Sequence, residues 1–288
     1  MNTMSATCVA DTACLLGEGP LWDEAAGLLR WVDIKRRQLH GYRLATGEVS
    51  NIPFSAQVTA IALGVDGGLW GVGGGGFGRV REDGNFTLTH PVAERDGNRF
   101  NDGKVDAQGA FWVGTMDDAE VEVTAGNVHR LGGDGVTTHA TSFHVPNGPA
   151  FDSRGRMYLT DSARQTVFRF EEGRPHDGRE AHVFARFGEA DGYPDGMTVD
   201  GEDHLWIAFW DGWCVRRLDP DGRVVAELPV PVQRPTSIAF GGDGLTRMFV
   251  TSARVGLNDE ALQHQPQAGG LFELTPGVRG VEQPRVRA

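Results

Sequence analysis

Glu18-Gly-Pro-Leu-Trp-Asp23 is a six-residue phrase that the chain repeats along its length. The phrase returns as Asn147-Gly-Pro-Ala-Phe-Asp152, as Asp195-Gly-Met-Thr-Val-Asp200 and, more loosely, as Asn101-Asp-Gly-Lys-Val-Asp106. Two weaker copies begin at Thr59 and Thr236, so that six copies follow one another every 41 to 48 residues. A regular period of this length is typical of repeat architectures, in which each copy is one structural unit.

Short apolar runs that are typical of β-strands follow each copy. An aromatic or β-branched run comes first, as in Leu29-Arg-Trp-Val32, and a third alternating run and a more polar fourth run complete the unit. No helical-period segment separates the units, and a β-sandwich would not require one phrase at regular intervals. The sequence therefore predicts an all-β, six-bladed β-propeller with four antiparallel strands per blade, formed as a single domain by residues 1–288. The run Ala6 to Ala10 is expected to join the last blade and close the ring.

Charge and composition restrict the expected partners. The 288-residue chain has a formal net charge of -12 and no basic stripe, which argues against nucleic acid and anionic membrane surfaces. No apolar stretch is long enough to cross a bilayer, and Met1 to Leu15 lack the pattern of a secretory leader. Cys8, Cys14 and Cys214 have no metal-ligand spacing, so we expect reduced thiols in a cytoplasmic protein. A monomer or a weak homo-oligomer is expected.

The first residues of the six phrases are predicted to meet around the central channel, because rotation relates the blades. Close, partly dehydrated carboxylates repel one another, and a bound cation offsets that repulsion. Oxygen ligands favour Ca²⁺, Mg²⁺ or Mn²⁺, and Fe²⁺ and Zn²⁺ are compatible. With few protein ligands, water completes the shell, and such an open position suits metal-assisted hydrolysis. The predicted ring consists of Glu18, Thr59, Asn101, Asn147, Asp195 and Thr236.

Asn-Gly and Asp-Gly pairs also form hairpin turns, which is the competing interpretation of the phrase. For the aspartates that end the phrases, turn stabilisation is the favoured role. For the first residues, a metal-ligand role is favoured, because a turn does not explain an acidic or amide residue at the same phase of four repeats. The aspartates assigned to turns are Asp23, Asp106, Asp152 and Asp200.

Seven short segments, in order along nearly the whole chain, carry a resemblance to a known family. They are Leu16-Gly-Glu-Gly-Pro-Leu-Trp22, Arg99-Phe-Asn-Asp-Gly-Lys-Val-Asp106, Gly114-Thr-Met116, Pro146-Asn-Gly148, Tyr193-Pro-Asp-Gly-Met197, Phe240-Gly-Gly242 and Gln267-Ala-Gly-Gly-Leu-Phe272. Through them the chain resembles the family of senescence marker protein 30 (regucalcin) and the bacterial gluconolactonases, including sugar lactonases of pentose oxidation pathways.

The resemblance implies a metal held by Glu18, Asn147 and Asp195, with Arg99 and Asn101 facing the substrate. Animal members have a substrate-contacting glutamate three positions after the Gly-Thr-Met phrase. This chain has Ala119 there, between Asp118 and Glu120. Asp118 is expected to contact the substrate in its place, and the change puts the choice of sugar in question.

The expected function is metal-dependent hydrolysis of a sugar-acid lactone, such as glucono-, xylono-, arabinono- or galactonolactone, to the aldonic acid. Asp195 is the expected general base, and Arg99 is expected to bind substrate hydroxyls. The chain would then be a carboxylic ester hydrolase with one divalent metal ion and a small-molecule partner. The alternatives are a metal-dependent hydrolase of other esters or phosphotriesters, a non-enzymatic calcium-binding protein, and a scaffold, which has no use for channel carboxylates.

Overall fold

A computed structural model of the chain describes residues 6–121, 124–171 and 182–288. Its strands form six four-stranded antiparallel sheets, arranged as a six-bladed β-propeller. The first strands of successive blades contact one another and so surround the central channel. The predicted fold class is confirmed.

The strands follow the chain from the centre of each blade outwards, except that β1 (Thr7–Ala10) precedes the first blade. The first three blades are β2 (Gly17–Asp23), β3 (Leu28–Asp33), β4 (Gln38–Arg43) and β5 (Glu48–Pro53); β6 (Val58–Leu63), β7 (Leu69–Gly73), β8 (Gly76–Val80) and β9 (Phe86–Pro91); and β10 (Asn98–Val105), β11 (Phe111–Asp117), β12 (Gly126–Gly132) and β13 (Gly135–Phe143).

The last three blades follow the same order. They are β14 (Pro146–Phe151), β15 (Met157–Asp161), β16 (Thr166–Phe170) and β17 (His182–Arg186); β18 (Tyr193–Val199), β19 (Leu205–Trp210), β20 (Cys214–Leu218) and β21 (Val224–Pro229); and β22 (Pro235–Gly241), β23 (Arg247–Ser252) and β24 (Leu271–Leu274). The helix α1 (Asp259–His264) lies between β23 and β24, and short 3-10 turns occupy Ser162–Arg164, Glu189–Asp191 and Asp243–Leu245. No helix within the described ranges is long and apolar enough to span a membrane.

The two ends of the chain share the last blade. Strand β1 pairs antiparallel with β24, with Thr7 opposite Glu273 and Cys8 opposite Phe272, so that the sheet order is β1-β24-β23-β22. Pairing removes an edge that could otherwise bind other strands. The predicted closure of the ring by the N-terminal strand is confirmed.

Apolar side chains pack the last blade against the first, in a region here termed the closure seam. Trp31 and Leu29 from β3 meet Phe249 from β23 and Leu271 from β24 in one buried cluster. Burial of this apolar surface stabilises the contact between the two ends of the propeller. The closure seam therefore depends on packing as well as on the β1–β24 pairing.

Every first strand carries a β-bulge near the start of the repeated phrase. The pairing register shifts between Glu18 and Leu21 in β2 and between Asn147 and Ala150 in β14, and the other four first strands shift in the same way. A bulge re-aims nearby side chains. Gly19 and Gly148 have φ of 54° and 81°, which glycine adopts without strain. The Asn-Gly and Asp-Gly pairs thus lie inside strands and not in hairpin turns.

The aspartates that end the phrases stabilise turns, as predicted. Asp106 accepts hydrogen bonds from two backbone N–H groups of its turn, and its second oxygen accepts one from the Trp112 indole at 2.7 Å. Asp152 and Asp200 repeat this arrangement, and Asp23 accepts a backbone N–H. The phrase therefore joins a bulge at one end of the first strand to a stabilised turn at the other.

Candidate active site and metal centre

A cavity of about 490 Å³ opens where the first strands of four blades begin. Three carboxylates, two carboxamides, a guanidinium and a lysine line it, together with hydroxyl, aromatic and apolar side chains. The lining residues that carry the chemistry are Glu18, Lys35, Arg99, Asn101, Glu120, Asn147, Ser162, Tyr193, Asp195 and Trp210. The volume is within the range of small-molecule sites, about 300–1,000 Å³.

Four of the six predicted ring residues reach this cavity, namely Glu18, Asn101, Asn147 and Asp195. The prediction that Thr59 and Thr236 also belong to this ring was wrong. The Thr59 hydroxyl donates to the Val72 carbonyl, and the Thr236 hydroxyl donates to the Gly17 carbonyl. Their blades lack the glycine-containing phrase, and their side chains satisfy neighbouring strands.

A chain of hydrogen bonds orients the amide groups of the ring. Arg99 Nη1 donates to Asn101 Oδ1 at 2.7 Å, and Asn101 Nδ2 donates to Asn147 Oδ1 at 2.8 Å. Asn147 Nδ2 donates to Ser162 Oγ at 2.8 Å, which fixes its carboxamide. Because Asn147 Oδ1 has a second lone pair, it can still coordinate a cation. Asn101 links the guanidinium to this candidate ligand.

Glu18 and Asp195 are buried acids in a repulsive environment, at 7% and 6% exposure. Burial, followed by repulsion from Asp195 and Asp102, raises the pKa of Glu18 well above its ordinary value. Burial and repulsion from Asp102 do the same for the pKa of Asp195. Asp195 Oδ1 is buried without a hydrogen-bond partner, which is costly unless another group satisfies it. A divalent cation would satisfy this oxygen and offset the repulsion, so the residues fit the predicted metal.

Asp102, which is buried, and Lys104, which is partly buried, lie next to the ring and influence each other's charge, although the sequence analysis did not single them out. Asp102 accepts hydrogen bonds from the Gly103 and Gly148 N–H groups, and burial raises its pKa to about 6. Lys104 Nζ donates to the Met197 carbonyl at 2.7 Å, and burial lowers its pKa. The sequence did distinguish these two residues, because among the six copies of the phrase only the one that begins at Asn101 contains an additional acid and a lysine.

Of the predicted substrate contacts, Arg99 and Asn101 line the cavity, and Asp118 lies beside it. Asp118 Oδ1 is 2.8 Å from Arg99 Nε and 3.3 Å from Lys35 Nζ. The Asp118 side chain is 50% exposed and, among the described residues, does not belong to the cavity lining, whereas Arg99, Lys35 and Glu120 do. Its position suits a group that orients the two cations.

Sequence reasoning missed other lining residues. Lys35, one of two lysines in the chain, follows β3, and Tyr193 directly precedes the Pro-Asp-Gly phrase. Glu120 lines the cavity beside the Ala119 position, although the sequence analysis favoured Asp118 as the contact. Trp210, at the end of β19, also lines it, with the Arg234 guanidinium 4.6 Å from its ring. Among these residues, only Tyr193 had a feature in the sequence that indicated the site, because it directly precedes the Pro-Asp-Gly phrase.

Comparisons with known proteins show the family of the chain. The model of the family described as the SMP-30/Gluconolactonase/LRE-like region matches residues 16–254. Pentonolactonase XacC of Haloferax volcanii is 37% identical over 96% of each chain, and regucalcin of Gallus gallus is 34% identical over 98% of each chain. The crystal structure of regucalcin from Agrobacterium tumefaciens, a calcium-binding protein, superimposes with a TM-score of 0.92 at 31% identity, covering 99% of this chain and 98% of that one.

Proposed function

We propose, on the premise that this chain belongs to the SMP-30/gluconolactonase/LRE-like family, that it hydrolyses the ring ester of a sugar-acid lactone in the cavity at the end of its channel. One observation carries the proposal: Asp195, which lines the cavity together with Glu18 and Asn147, has a buried carboxylate oxygen without a hydrogen-bond partner. The relative named pentonolactonase supports a lactone substrate. The substrates to consider are glucono-, xylono-, arabinono- and galactonolactone.

Glu18, Asn147 and Asp195 are the proposed ligands of one divalent metal ion. All three offer oxygen, which suits Ca²⁺, Mg²⁺ or Mn²⁺, and Zn²⁺ or Fe²⁺ remain compatible. The ion would supply Lewis-acid polarisation of the lactone carbonyl. The description of the Agrobacterium tumefaciens relative as a calcium-binding protein supports a divalent ion at this site.

Asp195 is the proposed general base. With one carboxylate oxygen on the ion, the other oxygen would take a proton from the water that attacks the carbonyl carbon. The new bond joins the water oxygen to this carbon, and the bond from the carbon to the ring oxygen breaks. Asp195 then returns the proton to the departing ring oxygen, which leaves the open-chain aldonic acid. The step needs no oxidant, and water is the co-substrate.

Arg99 and Asn101 are the proposed substrate-orienting residues. The guanidinium is held on one side by Asn101 and on the other by Asp118, so it presents its donors to the cavity in one orientation. Arginine donors suit substrate hydroxyls and the carboxylate that forms as the ring opens. Asn101 couples this orientation to Asn147 through its 2.8 Å hydrogen bond.

The proposal is tested by acid release from a panel of aldonolactones, measured with a pH indicator on metal-free and metal-restored protein. We expect opening of at least one lactone only after a divalent ion is restored. A second candidate, calcium binding without catalysis, is favoured by the calcium-binding relative. Binding of one Ca²⁺ without acceleration of any lactone over its spontaneous hydrolysis would establish that candidate and exclude the lactonase.

A further inference from the structure

Cys14, Asp33 and His40 form a second polar cluster, in the closure seam. One ligand atom from each side chain lies within 4.8 Å of those of the other two. All three side chains are buried. Cys14 belongs to the segment between β1 and β2, Asp33 ends β3, and His40 lies in β4 opposite Trp31.

His40 has no hydrogen-bond partner for either ring nitrogen, although it is only 4% exposed. Its ring stacks on Trp31, with the centroids 5.1 Å apart. An apolar ring such as phenylalanine would stack on Trp31 equally well without burying polar atoms. Packing therefore explains why a ring lies here, but it does not explain why the ring carries two nitrogens. Buried polar groups in folded proteins are rarely left without a partner.

The backbone holds the other two members of the cluster in place. Asp33 accepts hydrogen bonds from the N–H groups of Leu15 at 2.9 Å and Leu16 at 3.2 Å, and the Cys14 N–H donates to the Gly269 carbonyl at 2.8 Å. Asp33 Oδ1 also accepts the Arg36 N–H at 3.1 Å, and the Arg36 guanidinium lies 3.6 Å from Oδ2. Oδ2 accepts one hydrogen bond, from Leu15, and so retains a lone pair for a cation. Second-sphere hydrogen bonds of this kind orient metal ligands.

We infer that Cys14 Sγ, a carboxylate oxygen of Asp33 and a ring nitrogen of His40 form a binding site for a zinc-like divalent ion. Sulfur, nitrogen and oxygen donors together are typical of zinc sites, whereas the channel offers oxygen alone. A thiolate and a carboxylate would also neutralise the two charges of the ion. The inference is independent of the proposed lactonase function.

The spacing of the cysteines in the sequence did not indicate this cluster. The separations between Cys14, Asp33 and His40 match no zinc motif, but the pairing of β3 with β4 and the fold of the segment before β2 bring the side chains together. Burial raises the pKa of Cys14 to about 11 and lowers that of His40, so both groups are neutral near pH 7 without a metal. Ion binding would release the thiol proton.

The inferred site would strengthen closure of the ring. Cys14 lies four residues after the end of β1, the strand that completes the last blade, whereas Asp33 and His40 belong to the first blade. An ion shared by these ligands would tie the N-terminal segment to the first blade. Binding to the folded state alone raises thermal stability by mass action.

The test is a Co²⁺ titration of the metal-free full-length protein, because a cobalt–thiolate bond gives an intense absorption band that oxygen ligands do not produce. We expect the band, with the intensity of one cobalt–thiolate site per chain, in the wild type and in the control Cys214→Ser, which removes another buried thiol. Cys14→Ser should remove the band. His40→Phe, which keeps the stacking ring and loses no hydrogen bond, should weaken Co²⁺ binding at least tenfold.

Thermal unfolding gives a second, independent readout. Zn²⁺ at about 100 times its Kd should raise the Tm of the wild type by about 5 °C more than that of His40→Phe, which keeps only the channel site. Absence of the thiolate band in the wild type, its persistence in Cys14→Ser, or equal stabilisation of His40→Phe by Zn²⁺ would each overturn the site. If Cys14→Ser fails to fold, His40→Phe decides the outcome. Lactone opening with the channel metal does not enter this test.

Discussion

The channel cavity and the closure seam both contain buried polar side chains, yet they are built in different ways. The channel brings together equivalent positions of four blades, so the repeat concentrates acids such as Glu18 and Asp195 at one place. The closure seam packs the last blade against the first and includes the segment between β1 and β2. Its polar cluster has sulfur, nitrogen and oxygen donors. The comparison suggests a division of roles, in which the channel carries the chemistry and the seam holds the ring closed.

The largest expected effect comes from the channel. Asp195→Asn should lower kcat for lactone opening by about 100- to 10,000-fold, because it removes the proposed general base. Its Tm should not fall, since the change also removes a buried, repelled carboxylate. Initial rates and thermal unfolding measure both effects, with the exposed Asp221→Asn as the control. Retained activity together with a large loss of Tm would show that Asp195 supports folding and not catalysis, which would contradict the assignment of the chemistry to the channel.

A seam substitution should show the reverse pattern. Trp31 is buried in the seam cluster, so Trp31→Ala should lower the free energy of unfolding by about 3–5 kcal/mol, or Tm by about 10 °C. We expect kcat to be retained at temperatures where the variant is folded. Trp213→Ala is the matched control, because that tryptophan is 42% exposed and should cost little. A fall in kcat without unfolding would show that the seam also shapes the channel.

Protonation should stabilise the metal-free channel. The folded pKa of Asp102 is about 6, and those of Glu18 and Asp195 are also raised, so the folded state binds more protons than the unfolded chain, whose carboxyls titrate near pH 4. The resulting stability is complete below about pH 4 and is lost as pH rises through the folded pKa values. Because of these three groups, the Tm of the protein in the presence of a chelator should fall by a few degrees between pH 5 and 7.5.

A divalent ion should reduce this pH dependence, because it offsets the negative charge that protons otherwise remove. The Asp195→Asn variant should show a smaller slope without metal, since it has one repelled acid fewer. Equal slopes for the wild type and the variant, with and without metal, would show that the channel acids do not govern stability in this range. Differential scanning fluorimetry across the pH series supplies the comparison.

The smallest effect is expected at the rim of the cavity. Asp118→Asn removes the charge that pairs with Arg99 and Lys35, but the carboxylate is half exposed and water screens the pair. We expect KM to rise by no more than about fivefold, with kcat nearly unchanged. A Glu120→Gln variant serves as the comparison, because Glu120 lines the cavity itself. A loss of kcat in Asp118→Asn larger than that in Glu120→Gln would place Asp118 in direct contact with the substrate.

The fold and the cavity residues that begin the repeated phrases could be predicted, because both depend on the repeat. The phrase beginning at Glu18, Asn147 and Asp195 marks the blades and, through its bulge, also aims these side chains into the channel. The threonines at the same phase do not reach the cavity, because their hydroxyls donate to neighbouring strand carbonyls. Position in the repeat therefore predicts where a residue lies, and local hydrogen bonding decides where it points.

The remaining site residues lie outside what periodicity can indicate. Lys35 and Glu120 reach the cavity from the segments after β3 and β11, which differ between blades. Cys14 and His40 meet only because of strand pairing and the path of the N-terminal segment. Contacts of this kind depend on tertiary geometry, and no spacing along the sequence encodes them.

The most direct test of the account is the dependence of lactone opening on metal concentration, measured side by side for the wild type, Asn147→Ala in the channel and Cys14→Ser in the seam. If the channel holds the ion that the reaction requires, metal-free protein is inactive, and Asn147→Ala needs at least about tenfold more metal for half-maximal activity. Cys14→Ser should follow the wild-type curve. Activity without metal, or an unchanged curve for Asn147→Ala, would contradict the assignment of the channel as a metal-dependent lactonase site.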